Sequence, residues 1–84
     1  MAEVTMTPTA AEHLGALPRP IQARMLGLLE RLRKWPEVSG AKPLTGNLAG
    51  WFRLRTGDYR LRFRVDGEVI KVDKIGHRDR FYGD

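Results

Sequence analysis

The sequence contains no cysteine and only two histidines among its 84 residues. Without thiols the chain has no disulfide, no cysteine nucleophile and no cysteine-ligated zinc site. The two histidines, His13 and His77, lack the spacing of a metal-binding motif. A secreted chain this short usually depends on disulfides, so we expect a cytoplasmic protein. The sequence therefore predicts neither a metal ion nor a cofactor.

Long apolar runs are also missing from the chain. No segment approaches the roughly 18 apolar residues of a membrane-spanning helix, and residues 1–11 lack the basic start and apolar centre of a signal peptide. Hydrophobic residues still make up 42% of the chain, which is enough for one core. We predict a single domain over residues 1–84 that does not bind membranes.

Negative charge is scarce relative to positive charge. The chain has 15 Lys and Arg against 10 Asp and Glu, which gives a net charge of +5. Residues 51–84 hold nine of these basic residues, seven of them arginines, against six acids. The planar guanidinium group of arginine matches phosphate geometry, so the favoured partners are a nucleic acid, an acidic protein or both. An ordinary soluble basic surface is the alternative.

The spacing of apolar residues predicts an α+β fold. A short strand at Glu3–Thr7 precedes two helices, one from Pro8 to Leu17 and one from Pro18–Pro20 to Trp35. Residues 37–50 are rich in glycine and proline and predict a loop. Apolar residues then alternate over 51–55 and over 59–65, and residues 68–75 are strand-like, with turns at 56–58 and at 66–67. The prediction is an N-terminal strand, an antiparallel helical hairpin packed on a small β-sheet, and a C-terminal three-stranded antiparallel meander.

Alternation along the meander separates apolar from basic side chains. Phe52, Leu54, Leu61 and Phe63 fall on one face, which the helices should cover. The opposite face carries five arginines, namely Arg53, Arg55, Arg60, Arg62 and Arg64. Like charges this close repel one another unless a polyanion or acidic groups neutralise them. The pattern leaves the phase of the third strand open, because Ile75 falls out of step with Ile70 and Val72.

Three further side chains receive structural interpretations. Trp35 and Trp51 are able to stack on nucleobases, but each also has a burial role available, so we predict that both lie in the core. His13 falls on the first helix opposite Leu14 and Leu17, and we expect it to face solvent without a function.

An ordered set of short motifs resembles the RelE/ParE toxin superfamily. The set consists of Lys42–Leu48, Trp51–Arg55, Gly57–Arg60 and Ile75–Arg78, with Tyr82 following. The resemblance covers nearly the whole chain and implies a helical hairpin on a small sheet. For the RelE-like branch it implies the toxin of a type II toxin–antitoxin system, an endoribonuclease that cuts mRNA on the ribosome and binds an acidic antitoxin. A ParE-like inhibitor of DNA gyrase and a non-catalytic nucleic-acid or antitoxin-binding module are the alternatives.

The resemblance also implies roles for individual residues. Arg60 and Arg78 match arginines that contact the scissile phosphate, and Tyr82 matches a tyrosine proposed as general base. Nearby guanidinium groups would favour its phenolate form. The chain ends two residues after Tyr82, so the C-terminal helix of some relatives is at most begun. The RNA-binding residues implied are Arg53, Arg55, Arg62, Arg64, His77 and Arg80.

Overall fold

The computed structural model describes residues 1–81. The elements are β1 (Glu3–Met6), α1 (Pro8–Gly15), α2 (Arg19–Leu32), β2 (Lys42–Pro43), β3 (Trp51–Thr56), β4 (Tyr59–Asp66), β5 (Val69–His77) and α3 (Arg78–Phe81). A 3-10 turn at Gly46–Leu48 lies between β2 and β3. This order confirms the α+β prediction. Within residues 1–81 the structure contains no helix that is long and apolar enough to cross a membrane.

The first two helices are joined tightly. The Thr7 hydroxyl caps α1 by accepting the Ala10 N–H at 3.1 Å, and Pro8 occupies the first turn. The Gln22 side chain donates to the carbonyls of Leu14 and Gly15, both at 3.1 Å. These carbonyls lie in the last turn of α1, where the donors within the helix run out. The Leu14 carbonyl also accepts the Leu17 N–H at 3.2 Å. Gln22 therefore fastens α2 to the end of α1 and stabilises the predicted hairpin.

The sheet has five strands in the order β1-β5-β4-β3-β2. Strand β1 runs parallel to β5, whereas β3, β4 and β5 form the predicted antiparallel meander. Gly67 has a φ of 62°, which permits the tight turn between β4 and β5. The prediction that residues 37–50 are only a loop is wrong at β2, where Lys42 pairs with Arg53. Two residues are too few to show strand periodicity.

The core lies between the helices and one face of the sheet. The Trp35 ring contacts the rings of Phe52 and Phe63 edge-on, at centroid distances of 5.0 and 5.4 Å. This packing confirms the core position predicted for Trp35. The largest fully buried side chains are those of Met25, Leu32, Leu61, Phe63, Ile70 and Val72.

A β-bulge in β5 settles the phase of that strand. Arg62 pairs with Lys74 but Phe63 pairs with Val72, so Asp73 is the extra residue. The bulge moves the alternation by one position. Ile75 is therefore buried, at 3% exposure, on the same side as Val72. Strict alternation could not place Ile75, because a bulge interrupts it.

Candidate nucleic-acid interface

One face of the sheet carries the predicted arginines. Arg55 pairs with Arg60, Arg53 pairs with Arg62, and Trp51 pairs with Arg64 across β3 and β4. Residues paired in this way share a face, and it is the face opposite the buried core side chains. We call it the arginine face, and it comprises Arg53, Arg55, Arg60, Arg62 and Arg64. The predicted clustering of these five side chains is confirmed.

Arg62 is neutralised within the protein. Its guanidinium donates to both carboxylate oxygens of Asp73, at 2.9 Å from Nε and 2.7 Å from the terminal nitrogen. Both side chains are only 21% exposed. Because Asp73 is the bulged residue of β5, the bulge supplies the carboxylate that Arg62 binds. The sequence suggested acidic partners for the arginines, and for Arg62 that interpretation is right.

Arg60 stands in the opposite situation. Its Nε and one terminal nitrogen are buried and have no hydrogen-bond partner within residues 1–81. Its neighbour on β5 is Gly76, and a Cβ atom added at Gly76 would meet no atom within 4 Å. Gly76 therefore leaves space on β5 beside Arg60. Buried donors in native proteins nearly always have a partner, so Arg60 is prepared for a ligand with acceptor atoms.

Arg78 begins α3 at the end of β5, two residues after Gly76. Its N–H donates to the Asp58 carbonyl at 2.7 Å, which ties α3 to the turn between β3 and β4. Its Nε lies 3.9 Å from Asp58 Oδ1 and 3.7 Å from Asp79 Oδ1, and the side chain is 58% exposed. Exposed contacts this long contribute little. The guanidinium therefore remains accessible to an anionic ligand.

His77 projects from the other face of the sheet. It pairs with Tyr59, and the two rings meet at 90° with centroids 5.1 Å apart. Tyr59 packs against the core. His77 Nδ1 accepts the Asp79 N–H at 3.1 Å, and the ring lines a cavity of about 590 Å³ beside α1. The structure thus does not bring His77 together with Arg60.

Helix α3 holds the C-terminal part of the described chain on the sheet. Phe81 is 4% exposed. The Lys74 ammonium donates to the Phe81 carbonyl and lies 5.0 Å from the centre of its ring. These contacts anchor the single helical turn of α3 on the sheet. Arg80 lies in α3, with its side chain outside the description, and Tyr82 lies outside the described residues.

Two further sequence interpretations, those of Trp51 and His13, are wrong. Trp51 is absent from the core and lies on the arginine face, with the guanidinium carbons of Arg62 and Arg64 at 5.3 and 5.5 Å from its ring centre. The signal was available, because Trp51 alternates with Phe52, which packs against the core. His13 is half-buried rather than solvent-facing, and its Nδ1 accepts the Ile75 N–H at 3.3 Å. Strand β1 ends opposite Val72, which leaves the Ile75 N–H at an unpaired edge.

No group of three or more His, Asp or Glu side chains within residues 1–81 is placed to hold a metal ion. The arginine face, together with Arg78 at the end of β5, suits an anion instead. It offers one unpaired buried guanidinium, an accessible guanidinium at the strand end, and further cations along two strands. Charge-assisted hydrogen bonds from such groups bind phosphate strongly.

The fold matches that of toxins from toxin–antitoxin systems. Residues 4–82 match the family model described as the ParE toxin of the type II toxin–antitoxin system parDE. The chain belongs to this family, in the RelE/ParE superfamily, as the motifs indicated. Toxin RelG of Mycobacterium tuberculosis is 33% identical over 81 residues, which cover 94% of this chain and 93% of that protein.

Solved structures agree with this assignment. A chain of the toxin–antitoxin complex RelBE2 from Mycobacterium tuberculosis superimposes with a TM-score of 0.81 at 32% identity, covering 92% of this chain and 98% of that one. The isolated RelE toxin of E. coli gives a TM-score of 0.76 at 16% identity, covering 92% and 84% of the two chains. The latter likeness shows a shared fold. The protein is a type II toxin of the RelE family.

Proposed function

We propose that this toxin is an endoribonuclease that cleaves mRNA on the ribosome without a metal ion. The observation that carries the proposal is the guanidinium of Arg60, which has two buried nitrogens and no partner within residues 1–81. An unsatisfied buried donor costs roughly 1–3 kcal/mol. A phosphate oxygen that accepts from these nitrogens would recover that cost, and Gly76 leaves space on the neighbouring strand beside Arg60. Arg60 is thus prepared for a phosphate before the substrate arrives.

The reaction we propose uses the RNA's own nucleophile. A base takes the proton of the 2′-hydroxyl, the 2′-oxygen bonds to the adjacent phosphorus, and the bond from phosphorus to the 5′-oxygen breaks. The leaving 5′-oxygen takes up a proton, and the other end becomes a cyclic phosphate. Arg60 and Arg78 donate to the phosphate oxygens, where negative charge grows in the transition state. One preorganised donor of this kind is typically worth about 10²–10³ in rate.

Tyr82 is our proposal for the base, as the family resemblance implies, since guanidinium groups beside a tyrosine favour its phenolate form. His77 is the second candidate for a proton-transfer role. The placement of its ring on the face opposite Arg60 favours Tyr82 over His77. Tyr82→Phe should bind RNA normally and cut it slowly in single turnover, because only the proton transfer is removed. Normal cleavage by Tyr82→Phe would exclude Tyr82 as the base.

The remaining arginine face supports RNA binding along the strands. Arg55 and Arg64 lie at opposite ends of the cationic stretch, because the pairs Arg55–Arg60 and Trp51–Arg64 are four residues apart. At about 3.4 Å per strand residue this stretch spans about 14 Å. Arg53, Arg55, Arg62 and Arg64 are therefore proposed to contact the backbone of single-stranded RNA, and Arg80 to contribute from α3.

The positive charges of the arginine face also indicate a protein partner. The RelBE2 structure of a relative is a toxin–antitoxin complex. We propose that this toxin likewise binds a cognate antitoxin, whose acidic segment covers the arginine face and folds on binding. The proposed substrate, mRNA on ribosomes, places the protein in the cytoplasm.

Primer extension on mRNA from a purified translation reaction tests the activity. Wild-type protein should produce cuts within the coding frame, whereas Arg60→Met should lose at least about 10²-fold in rate. Arg19→Met, an exposed arginine on α2, is the matched control and should cut normally. Equal cleavage by wild type and Arg60→Met would overturn the assignment of Arg60.

Gyrase inhibition is the second candidate, because the matching family model is that of ParE toxins. It predicts loss of DNA supercoiling by gyrase together with intact transcripts. The phosphate-centred pair of Arg60 and Arg78 favours the nuclease, since a gyrase inhibitor does not need it. Growth inhibition with neither effect would leave a binding module without catalysis.

A further inference from the structure

We infer that Trp51, together with Arg62 and Arg64, forms a platform on which an unpaired nucleobase of the RNA stacks. The inference rests on the proposed function, because it takes single-stranded RNA as the ligand of the arginine face. It adds a recognition site that is distinct from the phosphate site at Arg60. The feature behind it is an aromatic ring placed among cations on the outer side of the sheet.

Packing in the hydrophobic core does not explain why a tryptophan lies at position 51, because Trp51 is not part of that core. The core side of the sheet is filled by Phe52, Phe63 and the helix residues, with Trp35 packed edge-on against both phenylalanines. Trp51 instead begins β3 on the arginine face and is half-buried there. Its ring is contacted by the guanidinium groups of Arg62 and Arg64, at 5.3 and 5.5 Å.

The platform is held in place before a ligand arrives. Asp73 fixes the Arg62 guanidinium by two hydrogen bonds, of 2.9 and 2.7 Å. Arg62 therefore holds its guanidinium carbon 5.3 Å from the centre of the indole ring, from a neighbouring position on β4. Arg64 is exposed and faces Trp51 directly across the strand pair. A fixed surface loses less conformational freedom when it binds a ligand.

Nucleobases are the chemistry that such a surface recognises. Guanidinium groups alone suffice for phosphates, whereas an indole adds a flat π surface without charge. Proteins that bind single-stranded nucleic acid combine cationic grooves with aromatic rings on which bases stack, and arginine planes contribute to the same stacking. An acidic peptide would match the cations but offers no π surface to the indole. Charge and aromatic character together therefore favour RNA.

The position along the strand assigns this base to a different nucleotide from the one that is attacked. Trp51 and Arg64 lie four residues from the pair of Arg55 and Arg60, a separation of about 14 Å along the strands. A base on Trp51 would thus select and align the RNA without touching the scissile bond. We assign Trp51 to substrate positioning.

Tryptophan fluorescence tests the inference directly. Trp35→Phe leaves Trp51 as the single tryptophan and keeps an aromatic ring in the core. A 2′-O-methyl oligonucleotide, which lacks the attacking hydroxyl and so is not cut, should quench Trp51 emission on binding. An abasic oligonucleotide of equal length should bind through its phosphates and quench far less. Trp51→Phe, which retains Trp35, is the control and should show no base-dependent quenching.

Affinity gives a second measurement that does not depend on Trp35→Phe folding. Stacking on one aromatic ring corresponds to a change of about 5- to 150-fold in Kd. Trp51→Leu should weaken binding of the same oligonucleotide by a factor in this range. Its salt dependence should stay unchanged, because no charge is removed. A flatter salt dependence would show instead that Trp51 only holds the arginines in place, and would overturn the inference.

The outcomes separate this inference from the proposed function. Base-dependent quenching without mRNA cleavage would refute the nuclease and leave the platform standing. If mRNA is cleaved but the abasic oligonucleotide quenches Trp51 as strongly as the oligonucleotide that carries bases, the platform alone is refuted. Equal quenching by poly-glutamate would overturn the platform in favour of a protein ligand, and absence of RNA binding would overturn it outright.

Discussion

Asp73 and Arg62 form a bidentate ion pair because β5 has one extra residue, Asp73, in its pairing with β4. The extra residue brings a carboxylate to the arginine face, where both partners are 21% exposed. Arg60, on the same strand two residues earlier, has no such partner within residues 1–81. The two arginines have the same chemistry and lie on the same face of β4. Arg62 is nevertheless satisfied within the protein, whereas Arg60 is left for a ligand. That difference leads to the first two predictions.

Asp73→Asn should destabilise the fold, because it leaves the part-buried Arg62 guanidinium without its counter-charge. Hydrogen bonds to charged groups contribute about 1.5–3 kcal/mol, so a loss of this size is expected in the free energy of unfolding. Urea denaturation measures it. The control is Asp66→Asn, an exposed residue at the turn between β4 and β5, which should change little. Equal losses in both variants would contradict a specific role for the pair.

Arg60→Met should leave stability unchanged or raise it by about 1 kcal/mol, because it removes buried donors that have no partner. Activity and stability then change in opposite directions, as expected of a residue retained for function. The contrasting variant is Arg62→Met, which leaves Asp73 unpaired and should be less stable than wild type. Thermal unfolding of the three proteins measures both effects. A marked loss of stability in Arg60→Met would mean that Arg60 is structural.

Replacing Arg53 and Arg55 with Gln should weaken RNA binding and flatten its dependence on salt. Each phosphate contact contributes about 0.7 to the slope of log affinity against log salt for single strands, so the slope should fall by about 1.4. Fluorescence anisotropy at several salt concentrations gives the slope. Arg19→Gln with Lys34→Gln removes the same charge outside the arginine face and should leave the slope nearly unchanged. If both double variants behave alike, net charge rather than the arginine face explains binding.

His13→Leu should loosen the edge of β5, since the Ile75 N–H loses its acceptor. An unsatisfied, part-buried N–H costs roughly 1–3 kcal/mol. His13→Asn places an acceptor oxygen near the position of Nδ1 and should recover part of that loss. Amide hydrogen exchange at Ile75 reports the effect locally, and urea denaturation reports it globally. Unchanged exchange at Ile75 in His13→Leu would contradict the role of this hydrogen bond.

The cognate antitoxin should raise the melting temperature of the toxin, because a ligand that binds only the folded state stabilises it. At a concentration 1,000 times its Kd the gain is about 4 kcal/mol. Raising the salt concentration should weaken the complex, and Arg53→Gln with Arg55→Gln should weaken it as well. Differential scanning calorimetry with and without antitoxin measures the shift. Binding with an unchanged melting temperature would show that the antitoxin does not select the folded toxin.

Local sequence patterns were sufficient for the two long helices, for the strands β1, β3, β4 and β5, and for the two faces of β3 and β4. The alternation in Trp51–Arg55 and Tyr59–Val65 determines which side chains share a face, because neighbouring strand residues point in opposite directions. The Asp66-Gly67 pair is a strong signal of a two-residue hairpin turn, so it indicates that the strands on either side are neighbours in the sheet. These properties depend on residues close together in the chain, and so the sequence by itself determined the fold class and the clustering of five arginines.

Only the tertiary structure decided how those arginines differ. The bulge at Asp73 depends on how β5 aligns with β4, and this alignment buries Ile75 and pairs Arg62 while Arg60 stays unpaired within residues 1–81. The acceptor role of His13 likewise depends on where β1 ends against β5. The donor, the Ile75 N–H, lies 62 residues from His13 in the chain. Periodicity is set by the backbone of each segment, whereas partners are set by contacts between distant segments. The sequence therefore determined that the five arginines of β3 and β4 share a face, and packing determined which of them are left to bind a ligand.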